Sequence, residues 1–384
     1  MRRATTLGVL VALASLVTVA CARAQHVTTY STTTRSPPPT APLESATSTS
    51  TPFLRASWTT RVAPPGVGIL NDVVCPSVSH CYAVGGSSPY GTGPGSIIAS
   101  TDGGITWKTL DVTPDIWLAS IACPSSTNCI AAGGTAGSGG ETNAPVVLVT
   151  TDGGQVWSQT KLPAEEGGLL DIACPSAGTC IAVGSGLART TDGGTTWSVE
   201  SDPKGFSTVD AVTCPTSSSC LLGGAGLHPP PTSGSLSSVS HDAGATWSAA
   251  VMAGGFVGLF AASCTGVEHC VGLLGSDATN SYGTGDPVVT FDGGTTWRQG
   301  SRVVGQSVSC IGSTCISVGA DSVGPTSAPA TAFVSTDSGL HWSPMSISSA
   351  QSLDAVTCPT ATDCIAVGGT FPGGPASLIV TLGS

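Results

Sequence analysis

Two short motifs alternate along this chain, and their period decides what it can fold into. The first is a close cysteine pair. It reads VVCPSVSHCYAVG around Cys75 and Cys81, IACPSSTNCIAAG around Cys123 and Cys129, and IACPSAGTCIAVG around Cys174 and Cys180. It continues with Cys214 and Cys220, Cys264 and Cys270, Cys310 and Cys315, and Cys358 and Cys364. The second is S/T-x-D-x-G-x-x-W, with Asp102, Asp152, Asp192, Asp242, Asp292 and Asp337 followed by Trp107, Trp157, Trp197, Trp247, Trp297 and Trp342. Its copies lie 40 to 50 residues apart. That period, with several short apolar runs per unit and no 3.6-residue periodicity, predicts an all-β chain built from propeller blades. The 384 residues are then one ring behind a leader, and the usual expectation of two or three domains for such a length is set aside.

Each unit reads as four strands. In the third they are Leu169–Ala173, Ile181–Val183, Gly186–Thr190 and Thr195–Val199. Seven cysteine pairs but six Asp turns leave the last unit, which ends in ASLIVTLGS, without a fourth strand. Phe53–Thr59, which carries Trp58 in an R-A-S-W context, supplies it. The prediction is a seven-bladed propeller of four-stranded blades, closed by an N-terminal strand, with one local disulfide per blade. Closure matters because the end blades would otherwise present unpaired strand edges.

The repeated residues read as structural. A short carboxylate in a turn accepts nearby backbone N–H groups, and the glycine two residues on permits φ > 0. The following tryptophan is a large ring able to pack between sheets. Six equivalent aspartates spread round a ring cannot converge on one substrate. Each close cysteine pair fits a local disulfide across a hairpin, formed in an oxidising compartment. Zinc would call for closer spacing and further ligands. No catalytic residue, metal ligand or cofactor is assigned.

Residues 1–24 have the parts of a secretory signal: Arg2 and Arg3, an apolar run from Leu7 to Ala20, then Ala22-Arg23-Ala24. A second reading makes Thr18-Val19-Ala20-Cys21 a lipobox, with Cys21 lipidated. Either way the folded part is extracytoplasmic, secreted or held at the cell envelope. Residues 25–52 form a Ser/Thr/Pro-rich linker, and 53–384 form the propeller. With 12 Lys+Arg against 23 Asp+Glu, a nucleic acid is not an expected partner. A membrane is expected only through the lipid anchor, and the closed ring is expected to be a monomer.

Insertions point to where function sits. Only 12 residues separate Cys180 from Asp192, against 21 to 23 in the other five units that have an Asp turn. The extra Gly-, Ser- and Pro-rich residues fall between second and third strands, on the face opposite the disulfide hairpins and Asp turns. Tyr90, Glu141, His228, Asp277, Tyr282, Asp286 and Asp321 are the binding-face candidates there. A second candidate is the entrance of the innermost strands, which carries Asp72, Asp171, Asp210 and Asp354. Those acids could bind a cation or repel anions, or cap strand starts through backbone hydrogen bonds.

The S/T-x-D-x-G-x-x-W turns resemble the Asp-box, or BNR, repeats of the sialidase-like propellers, from about Trp58 to Ser384. Within that superfamily the chain looks most like the exported photosystem II assembly-factor type and its bacterial relatives. That resemblance implies a non-catalytic propeller that binds a partner, here a protein or a glycan. The alternative it implies is a secreted glycan-acting hydrolase. A sialidase would need three arginines around the substrate carboxylate and a Tyr/Glu pair. Arg55, Arg61, Arg189, Arg298 and Arg302, with Tyr82, Tyr90 and Tyr282, do not assemble into that set on the sequence.

Overall fold

The computed structural model describes residues 57–86, 95–113, 115–135, 144–163, 167–226, 234–254, 258–275, 285–320, 330–347, 352–369 and 377–383. The signal and linker expected at 1–24 and 25–52, including Cys21, lie outside them. Seven four-stranded antiparallel sheets follow one another in chain order. Their innermost strands are Leu70–Val74, Ile116–Ala122, Leu169–Ala173, Phe206–Thr213, Leu259–Cys264, Ser307–Ile311 and Ser352–Thr357, which number blades 1 to 7. In each of blades 1 to 6 the strands meander outward from the centre. Blade 7 takes its outermost strand from the other end of the sequence: Ser57–Arg61 pairs with Leu378–Gly383, placing Trp58 opposite Leu382. The predicted ring closure is present in the strand Ser57–Arg61, and 53–56 of the expected Phe53–Thr59 lie outside the described residues.

The core is not inside any blade. It lies in seven layers between neighbours, because alternate residues of a strand point to opposite faces. In blade 3, Cys180 and Ala182 pack toward blade 2 with Ile130, Ala132 and Val147. Ile181 and Val183, one residue on, pack toward blade 4 with Val209, Val212 and Leu222. Both faces are therefore covered, which explains why the second strands read as continuous apolar runs such as CIAVG rather than alternating ones. Each layer receives one repeated tryptophan: Trp197 enters between blades 2 and 3, Trp247 between 3 and 4, and Trp58 between 6 and 7.

The Asp turn holds its own backbone. In blade 3, Thr190 Oγ1 donates to Asp192 Oδ1 (2.8 Å) and accepts the Gly194 N–H (3.0 Å). Asp192 Oδ1 also accepts the Thr196 N–H (2.8 Å), and Oδ2 accepts the Thr196 hydroxyl (2.6 Å). These donors hold the carboxyls of Asp192, Asp102 and Asp242 at about 2, below the ordinary aspartate value, the threonine hydroxyl acting most strongly. Because Thr195–Trp197 belong to this turn, the outermost strand starts at Ser198, three residues later than its apolar pattern suggests. Gly194 has φ +89°, and a Cβ there would lie 3.0 Å from Ile130 of the preceding blade. The small residue thus serves both the turn and the inter-blade contact.

All seven expected disulfides are present, linking the ends of first and second strands. Cys75 joins Cys81, Cys123 joins Cys129, and Cys174 joins Cys180. Cys214 joins Cys220, Cys264 joins Cys270, Cys310 joins Cys315, and Cys358 joins Cys364. Their Cα–Cα distances are 4.0 to 4.1 Å, the short separation that facing residues of a hairpin provide. The second cysteine of each pair lies at the start of the second strand, opening it in every blade but blade 6, where Thr314 precedes Cys315. It is buried, as Cys220, Cys270, Cys315 and Cys364 are in blades 4 to 7. The bridge is thereby part of the inter-blade core as well as a staple on its own hairpin. Seven such bridges are consistent with an oxidising environment.

The two motifs are tied together. The Gly193 N–H donates to the Gly178 carbonyl (2.9 Å), which belongs to the disulfide hairpin of the same blade. The equivalent bond joins Gly103 to Ser79, Gly153 to Thr127, Ala243 to Ser218, Gly293 to Glu268 and Ser338 to Ser313.

Replacing Thr190 by Val keeps the shape but strips the buried Gly194 N–H of its acceptor. Urea unfolding should show a loss of about 1–3 kcal/mol. Trp58→Ala, which empties the closing layer, should cost about 3–5 kcal/mol in the same assay. Removing one bridge, as Cys174→Ala with Cys180→Ala, should cost about 2 kcal/mol on the chain-entropy account, since the closed loop is short.

Candidate functional site

The innermost strands surround a central channel with a cavity of about 500 Å³, to which all seven blades contribute. Each inner strand has one edge without a strand partner, so its backbone groups need other partners. Side chains from neighbouring blades provide some of them. Asp72 Oδ2 accepts the Ile121 N–H of blade 2, and Asp171 Oδ2 accepts the Val212 N–H of blade 4, both at 2.8 Å. Ser263 accepts the Cys310 N–H (3.0 Å), Ser307 the Val356 N–H (3.2 Å) and Ser309 the Cys358 N–H (3.1 Å). A belt of side-chain-to-backbone rungs therefore runs round much of the lumen.

The four acids expected at the strand entrance lie within the strands, along the channel wall. They divide by register relative to the first cysteine of each pair. Asp72 and Asp171 stand three residues before it, like Ser120 and Ser307; Asp210 and Asp354 stand four before it, like Asn71 and Gln306. In blades 1 to 5 and 7 the strand pairing shifts at or beside these positions, so a bulge aims the two registers differently. Asp72 and Asp171 each accept two backbone N–H groups, one from the following residue and one from the next blade. This is backbone satisfaction of the kind expected, but it joins blades rather than capping strand starts. Asp210 has the Thr208 hydroxyl (3.1 Å) as its polar contact.

Enclosure by protein raises all four carboxyls. Burial pushes Asp72 and Asp354 up to about 7, and Asp171 and Asp210 up to about 6. For Asp72 the backbone N–H of Ile121 opposes burial, while the charge of Asp171 adds to it. The four side chains are partly exposed to the lumen, and the residues lining it include no Lys, Arg or His. Among the described residues, no three His, Cys, Asp or Glu side chains are arranged to hold a metal ion.

Of the binding-face candidates, Tyr90, Glu141, His228, Asp277, Tyr282 and Asp321 lie outside the described residues. Asp286 lies in the third strand of blade 5 (Gly285–Thr290), with Arg302 Nε 3.9 Å from its Oδ1. Arg61 Nε donates to Thr381 across the closing strands (3.0 Å), and Arg189 Nε donates to the Ala243 carbonyl of the next blade (2.9 Å). Both guanidinium groups are thus engaged in structural bonds.

Two features escaped sequence reasoning. Tyr82, which follows Cys81 where other blades carry Ile, Leu or Val, is buried and donates to the Ser126 carbonyl of blade 2 (2.8 Å). It helps line a second cavity of about 420 Å³, with His80, Trp107 and Lys108. Trp117, outside the repeat, is buried between blades 2 and 3, where a Cβ on Gly168 would collide with its ring. The extra aromatic at each position was visible in the sequence, but its neighbours depend on the inter-blade packing.

A family model for the BNR/Asp-box repeat matches residues 98–109, the first Asp turn. No curated protein matches the sequence. Solved structures of similar fold include YCF48 bound to D1 peptide, at 15% identity and TM-score 0.54, over 85% of this chain and 97% of that one. They include the GH74 xyloglucanase from Xanthomonas campestris, at 15% identity and TM-score 0.58, over 84% of this chain and 55% of that one. The WD40 propeller domain of Doa1 is also similar, at 14% identity and TM-score 0.55, over 86% of this chain and 97% of that one. At these identities the likeness is one of fold. Six Asp turns on seven four-stranded blades make this chain a β-propeller of the BNR/Asp-box type.

Proposed function

We propose that this protein is a non-catalytic, extracytoplasmic binding propeller that presents its loop-bearing rim to a protein partner. Blade 3 carries the reading. Its second and third strands are joined by only Ser185 and Gly186, yet it has the same four strands, disulfide and Asp turn as its neighbours. Eight or nine residues make that connection in the other blades. The longer connections are therefore not needed to build a blade, and they all leave and re-enter at one rim. Connections carried on a rigid scaffold are where recognition is commonly placed.

The ring suits that role. Seven disulfides and the Asp-turn bonds hold the opposite face, so the rim is carried on a pre-organised base and binding need not order the scaffold. A propeller of the same fold, YCF48, has been captured with a peptide, which supports a polypeptide ligand for this one. The Asp-turn carboxylates already accept hydrogen bonds from their own turns, which argues against using them on a substrate. The signal-like residues 1–24 would deliver the ring across a membrane, as a free protein or one tethered at Cys21, and residues 25–52 would act as a spacer.

The test is an affinity capture from envelope extract with residues 25–384 as bait, read by mass spectrometry. A protein partner should be enriched. Shortening 276–284 and 321–329 to the Ser-Gly length of blade 3 should abolish its capture while leaving the melting temperature unchanged. Capture that survives the shortening, or recovery of no protein together with binding on a glycan array, would overturn the reading.

A further inference from the structure

Three consecutive blades place Asp72, Ser120 and Asp171 at the same register of their inner strands. The Ser120 hydroxyl oxygen lies 2.9 Å from Asp72 Oδ2 and 2.9 Å from Asp171 Oδ1. A hydroxyl has one proton to give. If both carboxyls were ionised, one of these contacts would set a serine lone pair against a carboxylate lone pair with no hydrogen between them. We propose that the two carboxyls hold one proton between them at neutral pH. One acid donates to Ser120 and Ser120 donates to the other, so the chain latches blades 1, 2 and 3 together at the channel wall.

The surroundings agree. Among the described residues, every other hydrogen bond to the pair comes from a backbone donor: Val73 and Ile121 to Asp72, Ile172 and Val212 to Asp171. Those donors are compatible with a proton on either acid, since a protonated carboxyl keeps acceptor capacity. Among the described residues, the other ionisable groups on the wall are Asp210 from blade 4 and Asp354 from blade 7; blades 5 and 6 contribute none there, and no Lys, Arg or His lines the channel. Negative neighbours favour retaining the proton. The direction with pH follows. An unfolded aspartate is ionised well below neutrality, whereas the latched pair keeps its proton to higher pH. The latch's stabilisation is therefore full in acid, declines as pH rises above the unfolded aspartate range, and is gone once the folded pair has lost its proton near neutrality.

Urea unfolding between pH 5 and 8 tests this, a range above that in which the Asp-turn carboxyls titrate. While the folded pair keeps a proton that the unfolded chain has already released, the unfolding equilibrium constant rises up to tenfold per pH unit, and the rise levels off once the folded pair loses it. Asp171→Asn and Asp72→Asn each remove one of the two carboxyls that share the proton, so each should flatten the slope by about that amount. Asp210→Asn should leave the latch's share of the slope in place. A slope unchanged in both latch variants would overturn the proposal. If either variant fails to fold, carbon-13 NMR of the wild-type chain, with the Asp72 and Asp171 carboxyls assigned through their backbone, decides it. Two coupled titrations, one displaced toward neutrality, are expected; both carboxyls titrating independently in the ordinary aspartate range would overturn it.

Discussion

Every blade is covered on both faces by its neighbours, and this constraint organises the molecule. A four-stranded sheet with apolar residues on both sides cannot stand alone in water, because whichever face is left open exposes a row of Val, Ile and Leu. Seven sheets solve the problem only by closing into a ring, so the strand Ser57–Arg61 is part of the core rather than an extension of it. The side chains that fill the layers, among them Leu118, Ile181, Leu222 and Ile379, are completely buried between blades. Each contributes about 1.5–3 kcal/mol of apolar burial.

The two repeated motifs serve the same end from one face. The disulfide fixes the hairpin between first and second strands, and the Asp turn fixes the hairpin between third and fourth. The backbone bond from the turn to the cysteine hairpin couples them, so each of blades 1 to 6 is clamped across its width at one end. The other end carries the longer connections and is free of this hardware. Both cross-links therefore sit at the end of the ring opposite the longer connections.

The channel shows what ring closure does to chemistry. Asp72 and Asp171 are ordinary aspartates in sequence, but the bulged inner strands bring them to Ser120 and to amides of other blades. Three residues separated by about fifty positions each become one hydrogen-bonded chain. The environment that raises their carboxyls exists only because blades 4 to 7 complete the wall around them.

The repeats determined the blade number, the disulfide partners and the structural role of the Asp turns. Those are local facts, written within about fifty residues and enforced by turn chemistry and by the short reach of a hairpin. Trp58 also announced the closing strand, since one tryptophan per blade left a vacancy that only the N-terminal segment could fill. The start of each outermost strand was not legible, because the hydrogen bonds that keep Thr195–Trp197 in the turn outweigh their strand-like composition. Nor was the union of Asp72, Ser120 and Asp171, or the packing of Tyr82 and Trp117 against neighbouring blades. Those depend on which register each bulge presents to the lumen and on how far apart the layers stand, and only closure of the ring sets either.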